Sequence, residues 1–550
     1  MQDDYAEAEN ESKKYIDAII SSTANKKIVV AGPGTGKTHL FKKVLEGKNN
    51  ALVLSFVNAL VEDLSLELYG MADVKTLHSF ARSKLNDLIG DVKIFPKLSF
   101  AIKQDGLILL NQAIDFDALF HNRNDDSEHI EFYKKRKNYY DKYYGYSDVI
   151  FALVKYLEQY KNKIPNYGQV LIDEFQDFNK LEISLIDLLA EKSPILLAGD
   201  DDQVLYEELK NADAGHIRTR YGDTQPDYQP FTLPHCRRCT EVIVGATNDI
   251  IKSAVQNSFL VDRIGKDYKY FKHKGKDAES TKNNKVIYTQ QFARQIPWFI
   301  EKQIDGIAKE EKSKFNVLII SPTKVQSRGI VSALLGKGFT NIDFIEKNTT
   351  EEPTLLEGLK ILMGNKSSNL GWRVISKFIL SNEEFETVIK KSNEEEAKPF
   401  YKMVKPPKRK EISKMIKSLK AIKNDKEIDE QDLADILRKN GFDPHLINKS
   451  FLKEEVMSDI PRAINMGIRK IPIKSTTIQS SKGLSADYVF ITHFDDRYFI
   501  KNNGNISDKD IRNLLVALTR AKKKVFLISS NTTKRPTFLG WINADRISAP

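Results

Sequence analysis

The sequence predicts an α/β protein built from two parallel-sheet cores, each interrupted by a mainly helical insertion. Short, continuous apolar runs recur along the chain, each followed by a stretch of helical periodicity. Runs without polar alternation belong to strands covered on both faces, which is the habit of parallel sheets. The pattern runs once before residue 233 and restarts after it. The 550 residues also exceed what one hydrophobic core sustains, so several domains are expected.

The elements follow in order. After an N-terminal helical stretch, residues 26–31 (KKIVVA) read as a buried strand that feeds a glycine-rich turn and a helix from Lys37. Residues 51–56 (ALVLSF) are a second strand, and 169–172 (QVLI) and 194–198 (PILLA) are two more. The segment 83–161 reads as helical and polar, with a tyrosine cluster at 139–146 that fits helix packing. In the second half 317–321 (VLIIS), 488–492 (YVFIT) and 524–529 (KVFLIS) are buried strands. A charged helical segment, 376–469, separates them, and its KPPKRK stretch at 405–410 reads as a basic loop. The expected division is a first core from 1–82 and 161–232 with insertion 83–160, and a second core from 233–375 and 470–550 with insertion 376–469.

Composition excludes several classes. Hydrophobic residues make up 41% and charged residues 29%, as in ordinary globular domains. No apolar run approaches the length of a membrane span. The acidic N-terminus lacks a signal-peptide core, and two cysteines do not make a disulfide framework. A cytoplasmic protein is expected. The net charge of +10 suits a phosphate-backbone partner, although an abundance of lysine alone produces such an excess.

Ala31-Gly32-Pro33-Gly34-Thr35-Gly36-Lys37-Thr38 lies between a strand and a helix. Its glycines let backbone N–H groups turn inward around phosphate oxygens. Lys37 would reach the β- and γ-phosphates, and the Thr38 hydroxyl would ligate Mg²⁺. The loop by itself implies a nucleoside triphosphate. Downstream, Asp173-Glu174-Phe175-Gln176-Asp177 sets two acids at a strand end. There Asp173 can hold Mg²⁺ and Glu174 can orient and deprotonate water. Such a pair also occurs simply as a helix N-terminus; the phosphate loop upstream favours chemistry.

These acids, together with Gly199-Asp200-Asp201-Asp202-Gln203, resemble motifs II and III of the UvrD/Rep/PcrA-like superfamily 1A DNA helicases. Other pieces fall in the family's order. Residues 54–58 (LSFVN) resemble motif Ia and 76–80 (TLHSF) motif Ib. Residues 233–239 (LPHCRRC) stand in the place of motif IV, while 477–484 (TIQSSKGL) resemble motif V and 515–521 (LVALTRA) motif VI. The resemblance implies two RecA-like P-loop NTPase cores with ATP between them. It implies a catalytic set of Lys37, Glu174, Gln203, Arg238 and Arg520, with Gln203 sensing the γ-phosphate and the two arginines crossing from the second core. It further implies nucleotide contacts from Gly32, Gly34, Thr35, Gly36, Lys37, Thr38, Arg237 and Gly483. Single-stranded DNA would meet Phe56, Asn58, His78 and Tyr206, and the rings of Phe56, His78 and Tyr206 can stack on any base.

The chain departs from the family at the base end of the nucleotide site. No glutamine occurs between residues 5 and 20, Arg237 replaces the motif IV tyrosine, and Ser485 stands for the motif V glutamate. Motif III continues as Glu207-Glu208-Leu209-Lys210-Asn211 rather than with an aromatic-Arg-Gly stretch, and the second insertion is short. The pair Cys236/Cys239 offers too few ligands for zinc. The expectation is an ATP-dependent helicase or translocase, 3′ to 5′ by resemblance, acting on single-stranded DNA or a duplex with a 3′ overhang in repair or antiphage defence. The alternative is a DNA-stimulated ATPase subunit that works with a partner nuclease or defence protein and unwinds little alone.

Overall fold

A computed structural model of the chain describes residues 2–55, 58–205, 211–222, 227–311, 313–344, 352–394, 397–422, 430–439, 470–500, 504–531 and 534–550. The first run of strands comprises β1 (Lys26–Ala31), β2 (Ala51–Ser55), β3 (Asp73–Thr76), β4 (Gln169–Ile172), β5 (Ile195–Gly199) and β6 (Gln229–Leu233). They form one sheet in the order β3-β2-β4-β5-β1-β6 with every pairing parallel. Interior strands β2, β4 and β5 are buried at every residue, which explains why they read as unbroken apolar runs. Val29, Val53, Leu171 and Leu196 pack on Ile19, Leu40, Phe41 and Leu45 from the helices Gln2–Ser21 and Lys37–Leu45.

Two short strands, β7 (His235–Cys236) and β8 (Lys269–Tyr270), pair with each other. The second large sheet contains β9 (Val286–Gln290), β10 (Val317–Ser321), β11 (Ile342–Phe344), β12 (Ile473–Thr477), β13 (Ala486–Thr492), β14 (Ala521–Ser529) and β15 (Ile547–Ser548). Its order is β11-β12-β10-β13-β14-β9-β15, again parallel throughout. Alternate residues feed different sides. Leu318, Ile320, Val489, Ile491, Val525 and Leu527 pack with the helices Glu241–Gln256 and Asp508–Leu518. Ile319, Phe490 and Phe526 pack instead with Ile296–Glu310 and Lys324–Gly336. The period of two along each strand thus builds two hydrophobic layers around one sheet.

The described residues divide into two compact units. Both sheets belong to the unit drawn from Met1–Phe80, Leu157–Lys347 and Ile460–Pro550; the other, from Ala81–Tyr156 and Asn348–Asp459, is helical. In the helical unit a fully buried Asp105 accepts from Arg136 at 2.8 Å and Arg373 at 2.9 Å. Burial works against that carboxylate, and the two guanidiniums outweigh it and lower its pKa. Arg136 also donates to the Ser392 carbonyl at 3.0 Å, so the two chain segments of this unit share one ionic centre. Tyr140 is buried within it and donates to Asp105 at 2.5 Å, in keeping with packing as the role of the tyrosine cluster.

One expectation is corrected here. The basic stretch at 405–410 is not a loop: it opens the helix Pro406–Ile422. Proline is tolerated in a first helical turn, where its missing N–H has no intrahelical partner to lose.

Candidate nucleotide site

The site forms at the carboxyl ends of β1, β4 and β5, neighbours in the first sheet. This is where a parallel sheet leaves its loops free to hold a ligand. β1 ends in the phosphate loop. Gly34 has φ +72° and Gly36 φ +94°, a backbone region that glycine alone enters freely. A Cβ on Gly34 would also lie 2.3 Å from Cβ of Arg238, so the second core's segment rests directly on the loop. Arg237 N–H donates to the Gly34 carbonyl at 2.8 Å. Tyr268 donates to the Pro33 carbonyl at 2.9 Å. Thr35 is buried and closes the turn on the Gly32 carbonyl at 2.8 Å.

β4 delivers the acids. Glu174 adopts φ +53°, unusual for a non-glycine residue and typical of strain held at functional sites. Its Oε1 lies 3.6 Å from Lys37 Nζ, and its Oε2 accepts from Gln176 at 2.6 Å. Burial works against the Glu174 charge, and Lys37, then Lys482, outweigh it and hold the carboxyl below its usual range. Asp173 moves the other way, raised by burial first and by the adjacent Glu174 second. Asp173 Oδ1 is buried with no hydrogen-bond partner among the described residues. That orphaned oxygen, with the Thr38 hydroxyl on the first turn of the loop's helix, offers hard oxygen donors suited to Mg²⁺.

Gln203 follows β5. The Asp200 N–H donates to Gln176 Oε1 at 3.0 Å, and Gln203 Nε2 donates to Asp200 Oδ2 at 2.6 Å. Gln203 Oε1 in turn accepts from Arg520 Nη2 at 2.9 Å. A continuous hydrogen-bonded path therefore runs from Glu174 through Gln176, the backbone and side chain of Asp200, and Gln203 to Arg520. Arg520 precedes β14, which lies between β13 and β9 in the second sheet. It is held by the carbonyls of Val516 at 3.0 Å and Leu484 at 3.4 Å. Arg238 Nη1 is buried and lacks a hydrogen-bond partner among the described residues.

Sequence reasoning missed Lys482. It lies beside Gly483, itself at φ +85°, in the turn after β12. Its ammonium reaches Asp177, donates to the Gln203 carbonyl at 2.7 Å and stands 3.7 Å from Glu174 Oε2. The signal was present as a lysine inside TIQSSKGL, but its spacing implies no chemistry until the second core is folded against the first.

At the base end, Ser12, Tyr15, Thr35, His39, His235 and Arg237 line a small cleft. The Arg237 guanidinium sits 3.9 Å over the Phe271 ring and donates to Glu9 and Ser12, each at 3.1 Å. Cys236 and Cys239 are free and buried. Of the expected DNA contacts, His78 is half-buried on the helix Leu77–Ile89 and Asn58 opens the helix Asn58–Glu67. Phe56 and Tyr206 lie outside the described residues.

Two parallel α/β sheets, a phosphate loop on the first and arginines crossing from the second define a P-loop protein with two RecA-like cores. Residues 16–208 match the AAA domain family and residues 364–532 the UvrD-like helicase C-terminal domain family. The chain belongs to the UvrD/PcrA-like superfamily 1 helicases. It is 24% identical to the ATP-dependent DNA helicase PcrA of Staphylococcus aureus over 56% of this chain and 47% of that protein. It is 21% identical to a probable DNA helicase II homolog of Mycoplasma genitalium over 94% of this chain and 85% of that protein. A counterpart in Mycoplasma pneumoniae is 23% identical over 91% and 81%. The chain thus spans about half the length of the PcrA relatives it matches. Among the described residues no helix is long and apolar enough to cross a membrane.

Proposed function

We propose that the chain hydrolyses ATP between its two cores and uses the cycle to move along single-stranded DNA, 3′ to 5′, as a helicase or translocase. The observation that carries this is the Arg520–Gln203 contact at 2.9 Å. It sets a cation of the second core against the first core's sensor, beside Lys37 and Glu174 at 3.6 Å. Lys37 and the loop's N–H groups bind the phosphates. Glu174, kept ionised by Lys37 and Lys482, accepts the proton of the attacking water. Arg520 and Arg238 neutralise charge that develops on the transferred phosphoryl group. Mg²⁺, held by Asp173 and Thr38, would supply further charge neutralisation at the phosphates. Because the two arginines belong to the second core, cleft closure and hydrolysis become one event, and reopening resets the grip on the strand.

His78, Asn58, Phe56 and Tyr206 are proposed to face the strand, and the helical unit is proposed to contain the insertions of the two cores. A cytoplasmic role in repair or antiphage defence, alone or with a nuclease, fits this chemistry. The short second insertion favours limited unwinding without a partner, which a strand-displacement assay on the isolated chain would measure. The central test is ATPase activity with and without single-stranded DNA, wild type beside Glu174→Gln. Strong stimulation by DNA, lost in the variant, supports the proposal. Hydrolysis that is absent or indifferent to DNA refutes it.

A further inference from the structure

Asp200, Asp201 and Asp202 are all buried, with carboxylate oxygens within 4.8 Å of one another. Such a cluster has the make-up of a cation site, and a side chain occupies it. Lys266 Nζ lies 2.9 Å from Asp200, 2.7 Å from Asp201 and 2.7 Å from Asp202. Arg263 adds a two-pronged contact to Asp202 at 3.1 and 2.7 Å. Arg218 and the Ile264 N–H complete the shell on Asp201 at 3.1 and 2.8 Å. Three acids thus meet three cations, which removes most of the penalty of burying them. Burial opposes the Lys266 charge, and the three carboxylates outweigh it and raise its pKa.

The origin of these cations gives the cluster its meaning. The aspartates follow β5 of the first sheet. Lys266 and Arg263 lie in the stretch between the helix Glu241–Gln256 and β8. That stretch is tied to the second core where the Leu260 N–H donates to Asp508 at 2.9 Å, at the start of the helix that leads to Arg520. Asp200 also accepts from Gln203 Nε2 through its other oxygen. One carboxylate therefore links the Lys266 ammonium to the glutamine that Arg520 contacts.

We propose that Lys266, seconded by Arg263, is a positioning residue for ATP hydrolysis: it fixes Asp200 so that Gln203 is presented to Arg520 and the γ-phosphate. The inference rests on reading the cleft as an ATPase site. Lys266 touches none of the loop residues that bind phosphate, so its loss acts on turnover and not on nucleotide affinity.

The test uses the full chain with saturating single-stranded DNA. Lys266→Met keeps the stem and removes the charge. Its kcat is expected to fall by about tenfold or more, since small displacements of reacting groups are that costly, while KM for ATP and the Kd of a fluorescent ADP analogue stay within about threefold. The double variant Lys266→Met/Asp201→Asn removes one charge of each sign. It should recover thermal stability and remain slow, because nothing yet holds Asp200. Arg263→Gln, which leaves the ammonium in place, should show a smaller loss confined to kcat, and it carries the test if Lys266→Met does not fold. Wild-type kcat in Arg263→Gln, or recovery of kcat together with stability in the double variant, overturns the proposal by reducing the cluster to charge balance. A wild-type protein without DNA-stimulated ATPase would instead defeat the functional reading beneath it.

Discussion

Arg520→Lys separates charge from geometry in the cleft. Burial first, and the neighbouring Arg238 second, bring the Arg520 guanidinium down from its ordinary range to about 10. At neutral pH it stays protonated with a margin of about three decades. A lysine ammonium starts from a lower ordinary value, about 10.4, and the same burial and the same neighbour push it down further, toward neutral pH. The charged form is the one that works, so activity is present below the lysine's pKa and lost as pH rises through it. Lysine also lacks the planar fork that spans Gln203, Val516 and Leu484. The expected kcat at pH 7 is lower than wild type by about 10²-fold. The decisive reading is the pH profile of DNA-stimulated hydrolysis between pH 6.5 and 9.5. The variant should lose activity at a lower pH than the wild type. Superimposable profiles would show that Arg520 does not act as a buried cation.

The remaining expectations are simpler. Glu174→Gln should lower ATP turnover by about 10²-fold or more with nucleotide affinity retained, read by single-turnover hydrolysis beside equilibrium binding. Because the Arg237 guanidinium is engaged by Phe271, Glu9 and Ser12, kcat/KM for ATP and GTP should agree within about tenfold; a hundredfold preference for either would contradict that. Arg136→Met leaves the buried Asp105 with one cation, Arg373, beside the Tyr140 hydroxyl and should destabilise the helical unit by about 3–5 kcal/mol. Hydrogen exchange would register it as lost protection in Leu98–Leu110, and unchanged protection would refute it.

The nucleotide site was legible where local spacing carries the chemistry. The loop 31–38 declares itself because strand, glycines, lysine and threonine are contiguous, and Asp173-Glu174 follows a run of four buried residues. Strand β12 left no such trace. Its sequence, IKSTT, buries Ser475 and Thr476, and Ser475 is satisfied by Ser327 on a neighbouring helix at 2.8 Å. A hydrophobic pattern cannot report a strand whose buried groups are hydroxyls paired across the fold. The helix at Pro406 was misread because prolines and clustered lysines signal a turn, while only the position of those prolines in the first turn makes them compatible with a helix. Lys482 and Lys266 were invisible for a third reason. Each meets acids far away in sequence, and no local pattern implies that contact, even for Lys482 within TIQSSKGL.

Those two lysines change the account of how the cores cooperate. Arginine fingers alone would join the cores only through the nucleotide's phosphates. Here Lys482 reaches Asp177, Gln203 and Glu174, and Lys266 reaches all three acids after β5, contacts that need no phosphate. The Lys266 contact is buried and charge-balanced, so breaking it would strand buried charges, at a cost of about 3–5 kcal/mol. It therefore persists through a cycle more readily than the Lys37–Glu174 contact at 3.6 Å, where Lys37 has phosphate as an alternative partner. A motor needs one set of contacts that exchange with nucleotide and another that hold the cores in register. The 3.6 Å pair is suited to the first task and the triad around Lys266 to the second.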